Sequence, residues 1–175
     1  PPWVHEIVKR GWLGDKSGGG FYKKSGKDIQ TLDWHTLEYV PQQRLSTPEI
    51  DALLKLPVTE RLARVRDLPG HYGDFLRKLL TIVAYHTARL APELTHDIAS
   101  VDRALEWGYG WEIGPFRVMD ALGIDWLRTQ IDQLGFDAPF LFLHATDGFY
   151  AGHGSAEQMA TLKGFQPVPA IPHRL

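Results

Sequence analysis

The sequence contains no cysteine among its 175 residues. The chain therefore cannot form a disulfide, offer a thiolate nucleophile or build a zinc–thiolate site. The chain also has no large excess of either charge, because 19 Lys and Arg residues nearly balance 21 Asp and Glu residues. This balance gives no electrostatic reason to expect nucleic acid as a partner. No apolar run approaches the roughly 20 residues that a membrane-spanning helix needs. We predict a cytoplasmic protein with no membrane span.

The patterns that hold nucleotides are incomplete. Lys16 and Ser17 lie among glycines, but an acidic residue separates Lys16 from the preceding glycine, and the spacing of a phosphate loop is missing. Gly18 and Gly20 begin a dinucleotide fingerprint, but a lysine stands where its third glycine belongs, and no βαβ pattern surrounds it. The eight histidines show no spacing typical of metal ligands. We therefore predict no cofactor-binding and no metal-binding residue in this chain.

What the sequence does have is helical periodicity. The strongest pattern extends from Gly73 to Leu90, and Pro92 is expected to close this helix. Its apolar side chains recur every three or four residues, which predicts a wide buried stripe on a central packed helix. The stripe comprises Phe75, Leu76, Leu79, Leu80, Val83, Ala84, Thr87 and Leu90.

Further local signals divide the remaining residues. A short helix is predicted over 3–10, followed by an antiparallel hairpin or three-stranded meander over 21–39 and a linker over 41–45. Pro57 is expected to end a helix that starts at Pro48, and Asp97 and Asp125 are expected to cap later helices. The pair Gly114-Pro115 predicts another helix start. Residues 140–145 fit either a helix or a strand, and the Gly- and Pro-rich residues 151–175 are expected to be irregular.

Two features go beyond local structure. The tripeptide Gly-Phe-Tyr at residues 20–22 recurs at residues 148–150, in each case after a predicted helix and loop, which indicates an internal repeat. The second feature is the aromatic corner, formed by Trp107, Tyr109 and Trp111, which alternate with glycines. We favour a helix–helix corner packed by these rings. The alternative is a surface that grips an acyl chain, an adenine ring or a partner subunit.

Several of these stretches together carry a family resemblance. Residues 97–105, 107–116 and 120–123 resemble the C-terminal domain of 3-hydroxyacyl-CoA dehydrogenases, and residues 14–22 resemble the sequence that closes the same domain. The resemblance implies a mainly α fold, a helical bundle of the 6-phosphogluconate dehydrogenase C-terminal-like type, with a small antiparallel β element near the N-terminus. It also implies that residues 1–45 are the tail of a first helical copy with a hairpin and linker. Residues 46–150 would be a second helical domain and residues 151–175 a tail.

The family oxidises 3-hydroxyacyl-CoA to 3-ketoacyl-CoA with NAD in fatty acid β-oxidation. The resemblance implies that the catalytic His and Glu lie in a separate NAD-binding domain. In the family's first helical copy, the Asn of an Asn-Arg pair assists the reaction. The resemblance implies that the corresponding pair here is Arg77-Lys78. Because Arg cannot act as an uncharged amide, we expect this copy to contribute no catalytic residue.

We therefore expect the substrate-side or dimerisation portion of such a dehydrogenase. Its expected partners are acyl-CoA through the longer protein, the NAD-binding domain of that protein and a second subunit, with residues 140–143 as a candidate contact. The alternative is an independent helical interaction module with no enzymatic role. The substrate-side or interface candidates are Lys16, Ser17, Phe21, Tyr22, Arg77, Lys78, Trp107, Tyr109, Trp111 and Glu112.

Overall fold

The computed structural model of the protein describes residues 1–43, 46–145 and 147–171. Within these ranges the chain forms eight helices and two three-stranded antiparallel sheets, so the expected mainly α class is confirmed. The finer bundle type stays a prediction. Contacts divide the chain into a first unit, Pro1–Thr47, and a second unit, Pro48–Leu175. None of the described helices is both long enough and apolar enough to span a membrane.

The first unit is a short helix beside a β meander, as the sequence predicted. Helix α1 is Pro2–Lys9, and the strands are β1 Tyr22–Ser25, β2 Asp28–Asp33 and β3 Glu38–Pro41. Ile7 and Leu32 form its small buried core. Rings add to the packing, since Trp3 lies 5.9 Å from Phe21. The last two residues of the predicted linker, 44 and 45, lie outside the described residues.

The second unit is built on seven helices among its described residues. They are α2 Pro48–Leu53, α3 Val58–Val65, α4 Gly70–Leu94, α5 Ile98–Tyr109, α6 Pro115–Leu122, α7 Ile124–Gln133 and α8 Phe140–His144. Their largest fully buried side chains include Phe116, Met119, Leu127 and Phe142. These side chains bring α6, α7 and α8 together in one apolar core with α4.

Helix α4 differs from its prediction in both length and buried face. It runs past Pro92, which lies in the last turn, so that only two helical residues follow the missing N–H. Phe75 and Leu79, expected in the stripe, are 61% and 43% exposed. The residues that are buried are small: Gly73, Thr81, Ala84, Ala88 and Ala91. Because α6, α7 and α8 all pack on α4, small side chains occupy the interface and larger ones lie at its flanks.

Some predicted helix boundaries in the second unit are confirmed, and two are wrong. The Asp97 side chain accepts a hydrogen bond from the Ser100 N–H, and Pro115 occupies the first turn of α6, as predicted. Asp125 is not a cap, because Gly123 precedes α7 with a φ of 89° and Asp125 lies in the first turn. Pro57 does not end α2 but stands immediately before α3.

The expectation of an irregular stretch after Tyr150 was wrong for most of the described tail. Strands β4 Tyr150–Ala151, β5 Gln158–Thr161 and β6 Gly164–Pro167 form a second antiparallel meander. Met159 and Ala160 of β5 are buried in the helical core, which explains why this short segment adopts regular structure. The tail's last four residues, 172–175, lie outside the described residues. Residues 140–144, which were ambiguous, are helical.

Candidate functional site

The aromatic corner lies where α5 ends. Gly110 closes the helix in the left-handed region, with a φ of 68°, and the Trp111 N–H donates to the Leu105 carbonyl. Trp107 is 60% exposed, Tyr109 79% and Trp111 39%. The favoured packed corner was therefore wrong for these rings, because the close turn at Gly110 leaves their side chains outside the core. The structure instead presents the corner as an open aromatic surface.

One of two acidic side chains near this corner holds the backbone in place. The Glu106 carboxylate accepts a hydrogen bond from the Gly114 N–H at 2.7 Å, and this bond fixes the turn that leads into α6. Glu112, one of the predicted candidates, lies 3.6 Å from Arg61, with its side chain 60% exposed. This exposed pair contributes little to stability. Of the two carboxylates, Glu106 therefore fixes the backbone of the turn, and Glu112 lies on the surface.

A second cluster, which we call the carboxylate network, comprises Asp102, Asp120, Glu157 and the groups that they bind. Asp102 is 2% exposed and accepts hydrogen bonds from the Phe116 N–H at 2.8 Å and the Tyr150 hydroxyl at 2.9 Å. Gly114 packs so closely on Asp102 that a Cβ there would overlap its side chain. Burial raises the pKa of Asp102 to about 6, and the two hydrogen bonds limit that rise. Burial and the nearby Asp102 also raise the pKa of Tyr150.

The rest of the network ties the second meander to α6. The Asp120 carboxylate accepts hydrogen bonds from the N–H groups of Phe149 and Tyr150, at 2.7 and 2.9 Å. Arg117 donates two hydrogen bonds of 2.9 Å to Glu157 and lies 4.1 Å from the centre of the Tyr150 ring. Hydrogen bonding to Arg117 lowers the pKa of Glu157, and burial raises that of Asp120. These polar groups are engaged in holding the fold.

Arg77 is engaged in the same way. Its guanidinium donates to the carbonyls of Val65, Arg66 and Leu68, where α3 ends, and pairs with Asp74. In the structure this guanidinium therefore fastens the end of α3 to α4. Lys78 is exposed and lines a 310 Å³ cleft that also includes Arg77 but no ring of the aromatic corner.

The glycine loop of the first unit is closed on itself. The Ser17 hydroxyl donates to the Gly14 carbonyl and accepts from the Leu13 N–H, both at 2.9 Å. The N–H groups of Gly14, Gly18 and Gly19 donate to carbonyls of the same loop. These glycine N–H groups already have partners, so they are not free to bind the phosphates of a dinucleotide. Lys16 is exposed beside them.

The candidates of the first unit thus include two exposed rings. Phe21 and Tyr22 are 57% and 58% exposed at the start of β1. They line a 290 Å³ cleft, and its other lining residues are Trp3, Thr31, Leu32 and Trp34. Among the described residues, no group of three or more His, Asp or Glu side chains could hold a metal ion.

Sequence reasoning missed the carboxylate network as a unit. Asp102 and Asp120 were noticed only within the family pattern. A usable signal was present, because Asp102 interrupts the apolar positions of α5 and Asp120 follows Phe116 by one helical turn. Glu157 gave no signal, since its partner Arg117 is 40 residues away.

Comparisons with known proteins identify relatives of this chain. A probable 3-hydroxyacyl-CoA dehydrogenase of Bacillus subtilis is 34% identical over 142 residues, which cover 79% of this chain and 18% of that protein. Proteins named as fatty acid oxidation complex trifunctional enzymes in Rickettsia felis and Rickettsia prowazekii are 28% and 26% identical. They match 67% and 65% of this chain, which covers 16% and 15% of their lengths.

Two further comparisons gave no match. No protein family model matches the chain. No solved structure matches it either. The assignment therefore rests on the three relatives, of which this chain spans less than a fifth. They confirm the resemblance drawn from the motifs, and this chain corresponds to a segment of the 3-hydroxyacyl-CoA dehydrogenase family.

Proposed function

We propose that this chain is the substrate-side and subunit-contact portion of an NAD-dependent 3-hydroxyacyl-CoA dehydrogenase of fatty acid β-oxidation, acting in the cytoplasm. The single observation that carries the proposal is the 34% identity to the Bacillus subtilis relative over most of the chain. In this function the chain supplies no catalytic group. Oxidation of the hydroxyl needs a base and a bound nicotinamide, which the NAD-binding domain of the longer protein provides.

The aromatic corner is the part of the chain that would contact the substrate. Trp107, Tyr109 and Trp111 offer rings on which an adenine or an acyl chain stacks, and covering them excludes water from that contact. The backbone beneath is fixed by Glu106 and Gly114, so the rings are presented from a defined turn. Binding energy gained at such a remote surface helps to hold the reacting carbon in position.

Substitution in the full-length enzyme tests this assignment. Trp111→Ala should lower kcat/KM for 3-hydroxybutyryl-CoA about tenfold, the value of one stacked ring, and leave the KM for NAD unchanged. Phe165→Ala is the matched control, because Phe165 is 38% exposed and Trp111 39%. Equal kinetic constants for the two variants and the unmodified enzyme would refute a substrate-side corner.

The isolated 175-residue chain provides a second test. We expect it to form no NADH from 3-hydroxybutyryl-CoA and to bind NAD no better than an unrelated protein does. Steady NADH production by the pure chain, followed by absorbance, would overturn the non-catalytic assignment.

An independent interaction module is the second candidate, and the exposed rings of the corner favour it to the same degree. The reading frame upstream separates the two functions. A segment that encodes Gly-x-Gly-x-x-Gly within a βαβ pattern favours the dehydrogenase.

A further inference from the structure

The last described residues of the chain leave the second meander beside helix α5. Strand β6 ends at Pro167, and the Val168 N–H then donates to the Glu157 carbonyl at 3.1 Å. One residue further, the Pro169 carbonyl accepts a hydrogen bond from the Arg103 guanidinium at 2.5 Å. Arg103 lies in the middle of α5, 66 residues earlier in the chain. This long-range bond anchors the segment to the helix that carries the aromatic corner.

The segment runs along α5 towards that corner. Leu162, in the turn before β6, lines a 210 Å³ cleft together with Ile98, the first residue of α5. After β6 the Pro169 carbonyl is bound to Arg103, so the chain has moved from the start of the helix to its middle. The same direction leads to Trp107, which follows Arg103 by one helical turn on the same face. The next residues of the segment therefore approach the first ring of the corner.

The segment is long enough to reach this ring. Arg103 and Trp107 are four helical residues apart, which corresponds to about 6 Å along the axis. Two residues of extended chain span roughly 6.5 Å, so Ile171 reaches the level of Trp107 from Pro169. Long side chains on a helix lean towards its N-terminus, which directs the Trp107 ring towards the turn that holds Pro169. Prolines at 167 and 169 favour an extended backbone, since proline fixes its own φ and restricts the residue before it.

Both partners of this contact are apolar and exposed. Trp107 is 60% exposed and Ile171 is 58% exposed. Among the described residues, no hydrogen bond fixes the backbone of Ala170 or Ile171, so rotation at these two residues breaks none. Covering one side chain with the other removes apolar surface of both from water. The bond at Arg103 lowers the entropic cost of the contact, because it already holds the segment one turn away.

We propose that residues 169–171 form a strap, anchored at Arg103, that closes over the Trp107 ring. The Ile171 side chain then lies on the face of this ring, and Tyr109 and Trp111 stay open. A ligand of the aromatic corner has to displace the strap before it can stack on Trp107. The contact lies within the chain, so this inference does not depend on the proposed enzymatic function.

Methyl NMR of the full 175-residue chain tests the strap. The isoleucine methyl groups are isotope-labelled, and Ile171→Val assigns the Ile171 signal by removing it. An aromatic ring moves the signal of a methyl group on its face upfield, and a nuclear Overhauser cross-peak between the two requires close approach. We expect an upfield Ile171 methyl signal with a cross-peak to the Trp107 ring. In each variant the methyl signal of Ile131, which is 0% exposed, shows that the helical core is folded.

Arg103→Gln removes the anchor and should lower the ratio of closed to open strap about fivefold, the effect of one hydrogen bond to a charged group at an exposed site. The Ile171 methyl signal should then move towards its random-coil position, and the cross-peak should weaken. Arg89→Gln is the matched control, because Arg89 is an exposed arginine on α4, and it should leave both signals unchanged. The strap is refuted if Ile171 of the folded, unmodified chain has a random-coil methyl signal and no cross-peak to Trp107. It is equally refuted if Arg103→Gln, with the core folded, keeps both signals at full strength.

Discussion

The two meanders of this protein share a register but differ in what covers them. Phe21 in the first is 57% exposed, whereas Phe149 in the second is 1% exposed. Local sequence sets the strand pairing in both cases, since Gly-Phe-Tyr enters the sheet in the same way. Burial, by contrast, depends on the helix that packs across the edge. The comparison teaches that equal local structure gives equal stability only where the surrounding helices are also equal.

The largest difference is expected from removing each phenylalanine ring. Phe149→Ala should lower the free energy of unfolding by about 3–5 kcal/mol, because it empties a fully enclosed position beside Phe116 and Phe142. Phe21→Ala should change it by less than about 1 kcal/mol, since most of that ring is in water. Urea unfolding followed by circular dichroism measures both. Similar losses for the two variants would show that the first meander is covered after all.

The next largest effect on stability is expected at Asp102. This carboxylate accepts a hydrogen bond from the hydroxyl of Tyr150 in the second meander, whereas the equivalent Tyr22 of the first meander is 58% exposed. The pKa of Asp102 is about 6 in the folded chain, against an ordinary value of 3.8. The folded state therefore binds this proton more readily than the unfolded state does. Stability from this group rises as the pH falls from 6 towards 4, by at most about 3 kcal/mol.

Asp102→Asn isolates this contribution, since the asparagine does not titrate. The difference in unfolding free energy between the unmodified chain and the variant should shift in favour of the unmodified chain as the pH falls from 7 to 4. Denaturation at several pH values measures the difference. A constant difference across that range would mean that Asp102 titrates at its ordinary pKa.

A more local effect is expected at Asp120. Asp120→Ala removes the acceptor for two N–H groups, and leaving them unsatisfied costs about 1–3 kcal/mol. Amide hydrogen exchange of Phe149 and Tyr150, measured by NMR, should therefore become faster. Asp125→Ala is the control, because the Asp125 side chain is 90% exposed and pairs with Arg128 one turn along the same helix. Unchanged exchange at Phe149 and Tyr150 would show that Asp120 does not protect these two amides.

The sequence predicted the parts of the fold that depend on neighbouring residues. Asp97 and the pair Gly114-Pro115 were predicted to begin helices, through a capping side chain and through the fixed φ of proline, and the structure agrees. The face of α4 could not be predicted in this way. Its buried side depends on three other helices that approach small residues, so the exposure of Phe75 was missed.

The candidate site also has features that the local sequence predicts and features that depend on distant residues. The aromatic corner was found from its composition, but its exposure depends on how the chain turns at Gly110. Arg77 was noticed as a charge, yet its partners are carbonyls 9 to 12 residues earlier, at Val65, Arg66 and Leu68. Strand β5 was missed because burial of Met159 and Ala160 in the helical core stabilises it, and no local pattern shows this.

The smallest expected effect lies in the connections within the two meanders. The short turn between β1 and β2 is the pair Gly26-Lys27, whereas the longer connection between β4 and β5 is fastened by Glu157 to Arg117. Glu157→Gln should lower the unfolding free energy by about 1 kcal/mol, since the pair is bidentate and only partly exposed.

The matched control for that pair is Glu60→Gln, which breaks an exposed pair with Arg64 at 3.6 Å and should cost less than about 0.5 kcal/mol. The pKa of Glu157 is lowered by Arg117, so its contribution is present above the ordinary carboxyl pKa and is lost as the pH falls through the lowered value. The gap between the two variants, measured by urea unfolding, should therefore close in acid. A gap that persists once Glu157 is protonated would show that the shape of the side chain, not its charge, fastens the second meander.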